Sequence, residues 1–152
     1  MQGVLRKFVA SAVLLLGATL AARADDGVVG HWLTEGGKGV VAIERCGASI
    51  CGKIAWYKHP ISDNPREVDF RNPDPNLRER PLCNLPILRD FRPTAGGGWE
   101  EGHIYSPEKG DTYNANIVVL DSDHLKLRGY IGIPLLGESQ VWTRAEGHER
   151  CK

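Results

Sequence analysis

Four cysteines, five histidines and a set of strand-borne tyrosines are the residues of this chain that could carry chemistry. Cys46-Gly-Ala-Ser-Ile-Cys51 places two thiols at what reads as a hairpin neck. Joining them leaves Cys83 for Cys151, one of three connectivities open to four thiols. A four-cysteine zinc site is the rival, but it lacks the paired C-x-x-C knuckles such sites use, so the spacing predicts disulfides and no metal. The histidines (His31, His59, His103, His124, His148) form no i, i+4 pair, and His148-x-x-Cys151 sits in a terminal tail. No Gly-x-Ser-x-Gly elbow exists, and Gly96-Gly-Gly98 is not followed by the Gly-Lys-Ser/Thr of a phosphate loop. Asp121-Ser-Asp-His124 has the residue types of a hydrolytic trio, but neighbours in one tight turn do not converge. No catalytic residue and no cofactor is assigned. Tyr105, Tyr113 and Tyr130 are candidate pocket-lining rings, set against the ordinary role of a strand tyrosine as core with a satisfied hydroxyl.

The compartment decides how those thiols behave. Arg6 and Lys7 precede an apolar run from Phe8 to Leu20, and Ala22-Arg23-Ala24 follows with a small-x-small pattern. This reads as a signal peptide over residues 1–24, cut before Asp25, leaving one domain over 25–152. The run is shorter than the ~20 residues a spanning helix needs, so no transmembrane anchor is expected. Export to a periplasmic or extracellular space favours disulfides. The 19 basic and 19 acidic residues balance, which argues against a nucleic-acid partner.

The elements that must position these residues are strands. Alternation, with no sustained helical period, predicts strands at 28–34, 39–45, 52–57, 99–106, 112–121, 124–130 and 139–144. In the fifth, Tyr113, Ala115, Ile117 and Val119 share one face, opposite Thr112, Asn114 and Asn116. Short links predict an antiparallel meander, and one-faced strands must protect their edges by closing. The expected fold is all-β, a small barrel of about eight strands, filled by side chains or holding one small ligand.

The stretch from Lys58 to Pro93 departs from this pattern: it holds most of the nine prolines and Arg66, Arg71, Arg78, Arg80, Arg89 and Arg92. It reads as one long Pro/Arg-rich loop, with a helical turn at Leu77 to Arg80 capped by Asn72, Asp74 or Asn76. Two arrangements fit. The loop is a lid over the mouth, with Arg78 or Arg80 meeting an anionic ligand, or it is a surface loop whose arginines pair with carboxylates.

Several of these motifs together resemble a bacterial exported family, the domain of unknown function 2147. They are Gly30-His-Trp32-Leu-Thr34, the Cys46-to-Cys51 turn with Gly52-Lys-Ile-Ala-Trp56, Asn72-Pro-Asp-Pro75, Pro86-Ile-Leu88, and Ile104-Tyr105 with Pro107. Gly129-Tyr-Ile-Gly-Ile-Pro-Leu-Leu-Gly137 and Gln140-Val-Trp-Thr-Arg144 complete the set. The resemblance implies a small exported barrel similar to lipocalins and lends no reaction. It also implies a structural role for Gly30-x-Trp32 and Arg144, in which a basic residue of the last strand covers the tryptophan of the first. Three functions stay open: a small-molecule binder using the mouth, a filled barrel acting on a protein partner or in envelope stress, and an enzyme using the loop at 72–80.

Overall fold

The computed structural model describes residues 26–148 and 151, so the expected signal peptide at 1–24 lies outside it. Eight strands follow one another: β1 Gly30–Leu33, β2 Gly39–Cys46, β3 Ser49–Tyr57, β4 Pro86–Pro93, β5 Trp99–Ser106, β6 Asp111–Val119, β7 His124–Tyr130 and β8 Glu138–Arg144. Each pairs antiparallel with the next and β8 returns to β1, closing the barrel. The closing contact is short, Trp32 opposite Arg144 and Leu33 opposite Thr143. Above it, the Val141 N–H donates to the Glu35 carboxylate at 2.8 Å, which satisfies an edge donor that β1 does not reach.

One strand was absent from the sequence expectation. β4 occupies the end of the stretch read as loop, so the β3–β4 connection ends at Leu85. Its burial does not alternate, because register shifts against β3 and a positive φ of 66° at Asp90 interrupt the period of two. Pro86 and Pro93 sit at its two ends, where proline is tolerated. The expected turn at Leu77 to Arg80 is instead a 3-10 turn at Pro75–Leu77, with the Asp74 carboxylate accepting the Asn76 N–H.

Residues paired across a ladder share a face, so the register identifies the lumen. Trp32 with Val41, Ile117 with Leu127, and Leu125 with Trp142 all point inward. Trp32, Trp99, Trp142, Phe91, Ile50, Ile117 and Leu125 are buried and fill this half of the barrel. Gly102 makes the packing possible: a Cβ there would overlap the Phe91 ring, which occupies the space a side chain would need.

Two disulfides fasten the outside. Cys46 and Cys51 bridge the β2–β3 turn, and Cys83 bonds Cys151, tying the chain end to the loop before β4. Both fit an oxidising compartment. No helix among the described residues is long and apolar enough to cross a membrane.

Candidate functional site

The two ends of the barrel are built differently. At the end carrying the β2–β3, β4–β5 and β6–β7 turns, the Arg144 guanidinium lies 3.8 Å from the centroid of the Trp32 ring. Its three nitrogens donate to the carbonyls of Val29 (3.0 Å), Gly27 (2.7 Å) and Ser122 (3.1 Å). The Trp32 indole N–H donates to the Val28 carbonyl at 2.8 Å. Gly30 leaves the room for this, since a Cβ there would sit 2.5 Å from Arg144 Nη1, and its φ of 137° suits glycine alone. Each Arg144 nitrogen and the Trp32 indole N–H thus has a backbone partner, which closes this end.

At the opposite end the inward faces open. Along β6, Ile117 and Ala115 are buried and Tyr113 is half-buried; along β7, Leu125 and Leu127 are buried and Gly129 is half-buried. On β8, Trp142 is buried while Gln140 and Glu138, opposite Leu127 and Gly129, are exposed. Ile54 opposite Val41, and Ile104 opposite Tyr113, follow the same trend. The result is a shallow cup with Trp142 in its floor, its indole N–H donating to Gln140 Oε1 at 2.9 Å. Gly129 faces the cup with only the Ile104 and Tyr113 side chains near, both at 3.9 Å from where a Cβ would stand. The Lys109 ammonium lies 5.7 Å from the Tyr113 ring centroid, setting a cation at the rim.

Of the three tyrosines singled out in the sequence, only Tyr113 faces this cup. Tyr105 shares the face of Thr112 and Tyr130 that of Asn114, so both stand on the outer wall. The reason is parity: Tyr130 is odd-spaced from Leu125 and Leu127. Tyr105 meets the β3–β4 loop instead. Its hydroxyl donates to Asp69 Oδ1 at 2.6 Å, and Asp69, fully buried, also accepts from Asn72 Nδ2 (2.8 Å) and Arg80 Nε (2.9 Å). Burial and the neighbouring Asp69 carboxylate push the Tyr105 hydroxyl up to about 12. The loop is laced to itself and to the β5–β6 turn: Arg78 Nε donates to the Asn72 carbonyl, and Arg71 donates to Asp63 and to the Glu108 carbonyl. Arg78 and Arg80 are therefore already engaged. Nothing in the sequence marked Asp69 as the hub, since it lies in an unremarkable Glu-Val-Asp-Phe run.

At the mouth, the Tyr57 hydroxyl donates to Glu67 Oε2 at 2.8 Å, and Glu67 Oε1 meets the His59 ring. Burial raises Tyr57 to about 12, with Glu67 adding to the effect. Burial alone would raise the Glu67 carboxyl, but Tyr57 and His59 outweigh it and hold it below the usual range.

The other candidates resolve into local contacts. Asp121 pairs with His124 Nδ1 at 2.8 Å, but the Ser122 hydroxyl turns to Asp123, so the three do not act together. Glu44 lies near Cys46 and Cys51, whose sulfurs are bonded to each other. The Cys151 sulfur is likewise taken by Cys83, and the His148 ring lies 4.8 Å from that of Trp56. A cavity of about 60 Å³ under the C-terminal tail, between His31, Trp56 and His148, has room for little more than water.

Comparison with known proteins agrees with this architecture. A family described as an uncharacterized protein conserved in bacteria (DUF2147) matches residues 30–144. No curated protein matches the sequence. Among solved structures, the chain is similar to protein HP1028 from the human pathogen Helicobacter pylori, described as belonging to the lipocalin family. The TM-score is 0.67 at 19% identity, covering 78% of this chain and 82% of that one. At that identity the likeness concerns the fold, a lipocalin-like barrel.

Proposed function

We propose that this chain, a member of the bacterial family of uncharacterized proteins DUF2147, is an exported carrier that binds a small amphipathic molecule in its barrel mouth. One observation carries the reading: inward-facing residues are fully buried in the middle of the barrel (Ala115, Ile117, Leu125, Leu127, Trp142) and become half-exposed or exposed toward the open end (Tyr113, Gly129, Gln140, Glu138), on β6, β7 and β8 alike. Ile54, Ile104 and Tyr113 offer an apolar wall, Gln140 a polar tip, and Lys109 a cation for an anionic head group. A sealed floor with an open apolar cup suits binding and release rather than chemistry, and the periplasm is the compartment that the leader and the thiols favour.

The experiment is titration with 1-anilinonaphthalene-8-sulfonate, an anionic amphiphile whose emission rises in an apolar site. The wild-type chain binds it saturably. Gly129→Phe, which puts a ring into the cup at a position with free space, abolishes binding while the melting temperature holds. Lys109→Gln weakens it several-fold. Undiminished binding by Gly129→Phe would remove the mouth from consideration and favour the filled barrel acting through its surface.

A further inference from the structure

The β7–β8 loop departs from the burial pattern of the rest of the chain. Ile131, Ile133, Leu135 and Leu136 are 74, 55, 81 and 75% exposed. No charged residue falls between Ile131 and Gly137. A slack loop would fold such residues back onto the barrel, but this one is held away from it. The Arg128 guanidinium donates from Nε to the Pro134 carbonyl (2.6 Å), from Nη2 to the Leu135 carbonyl (3.1 Å) and from Nη1 to Ser139 Oγ (2.9 Å). The Leu136 and Gly137 N–H groups donate to the Ile133 and Pro134 carbonyls at 3.2 and 3.1 Å, and Pro134 has no N–H to satisfy. The fold thus presents an apolar tip while pairing much of its backbone, the arrangement that burial away from water demands.

We propose that this tip docks the protein on a lipid surface, with the four aliphatic side chains entering the boundary between head groups and acyl chains. Two observations select a bilayer over a second copy or a protein partner. The exposed area of the four side chains is on the order of 400 Å², the size of a functional patch and about half of what each partner buries in a stable protein interface. The four side chains are also uncharged and well exposed, and the cation beneath them, Arg128, is taken up by the Pro134 and Leu135 carbonyls and by Ser139, so hydrocarbon receives them without a complementary groove. Glu138, which follows the loop in sequence, and Glu35, whose carboxylate accepts from the Val141 N–H, give no attraction to anionic lipid. Docking here is apolar insertion, indifferent to salt and to lipid charge. It would bring the mouth toward the membrane, but it does not depend on the mouth binding anything: Gly129→Phe leaves the tip intact.

The test is co-sedimentation of the full chain, as its cells produce it, with phosphatidylcholine vesicles, with and without phosphatidylglycerol, at low and high salt. The wild-type chain binds both vesicle types alike. Leu135→Glu with Leu136→Glu lowers the partition at least about tenfold, since each removes an apolar side chain from the boundary and puts a charge there. The variant shares the wild-type N-terminus, so the difference belongs to the loop, and both sites are exposed, so its melting temperature is unchanged. Leu135→Trp adds emission that shifts to the blue on vesicles. Equal binding by wild type and double variant, binding that needs anionic lipid and fails in salt, or a loop-dependent dimer that vesicles do not dissociate would each overturn the proposal.

Discussion

The plug around Trp32 and the rim around Leu135 occupy opposite ends of one short barrel and use apolar residues in opposite ways. At the plug, a fully buried indole is covered by a cation whose donors all end on backbone carbonyls. At the rim, a cation performs the same backbone pairing, Arg128 to the Pro134 and Leu135 carbonyls, but the apolar side chains face outward. The same device, a guanidinium gathering carbonyls, closes a core at one end and displays a surface at the other. Stability should therefore reside in the plugged half, and sensitivity to ligands or surfaces in the mouth half.

The largest effect tests that division directly. Phe91→Ala empties a buried site pressed against Gly102 and should lose about 3–5 kcal/mol in chemical denaturation. Leu135→Ser, at the rim, should stay within about 0.5 kcal/mol of wild type. Similar losses for the two would erase the division.

Next comes the plug itself. Arg144→Ala removes the ring contact and strands the Val29, Gly27 and Ser122 carbonyls, for a loss of about 2–4 kcal/mol. Lysine should restore only part, because one ammonium cannot reach three divergent acceptors and cover the ring. Mouth binding, measured on the folded variant, should be unchanged.

Tyr105→Phe probes the outer wall between the ends. It deletes one of three donors to buried Asp69 and should destabilise by about 1.5–3 kcal/mol. The same bond sets a pH signature. The fold favours the protonated phenol, so its contribution is complete below the ordinary tyrosine value of 10 and is lost as pH climbs toward about 12. Denaturation midpoints should fall over that window in wild type and fall less steeply in Tyr105→Phe, with Tyr57 supplying the remainder.

What the sequence conveyed follows the same division. Period-two alternation survives where a strand has one wet and one dry face, as in Thr112 to Val119 or His124 to Tyr130, and there the meander was legible. It fails in β4, where a left-handed Asp90, shifted register and bracketing prolines hide a central strand inside an arginine-rich stretch. Trp32 and Arg144 stand near the two ends of the strand series and meet where it closes. Tyr113, Ile104 and Gln140 could have been gathered by parity once register was known, but register comes from turns and bulges rather than from composition. Asp69 was invisible, because its donors come from Asn72, Arg80 and Tyr105, the last of them 36 residues away.

The smallest expected effect on stability sharpens the comparison most. Arg128→Gln removes the charged fork holding the rim loop yet touches nothing in the filled half, so its loss should be about 1 kcal/mol or less. Its consequence should be local. Hydrogen exchange at the Leu136 and Gly137 amides, which donate to Ile133 and Pro134, should quicken, while the β6 and β7 ladder amides keep their protection. A freed loop can turn its aliphatic side chains back toward the cup, so dye binding at the mouth should weaken even though no cup residue has changed. If Arg128→Gln leaves the Leu136 and Gly137 amides as slow as before, the loop is held by its 3-10 turn alone. The parallel between the two arginines would then fail, and the rim would owe its outward pose to Pro134 and the backbone of 133–137.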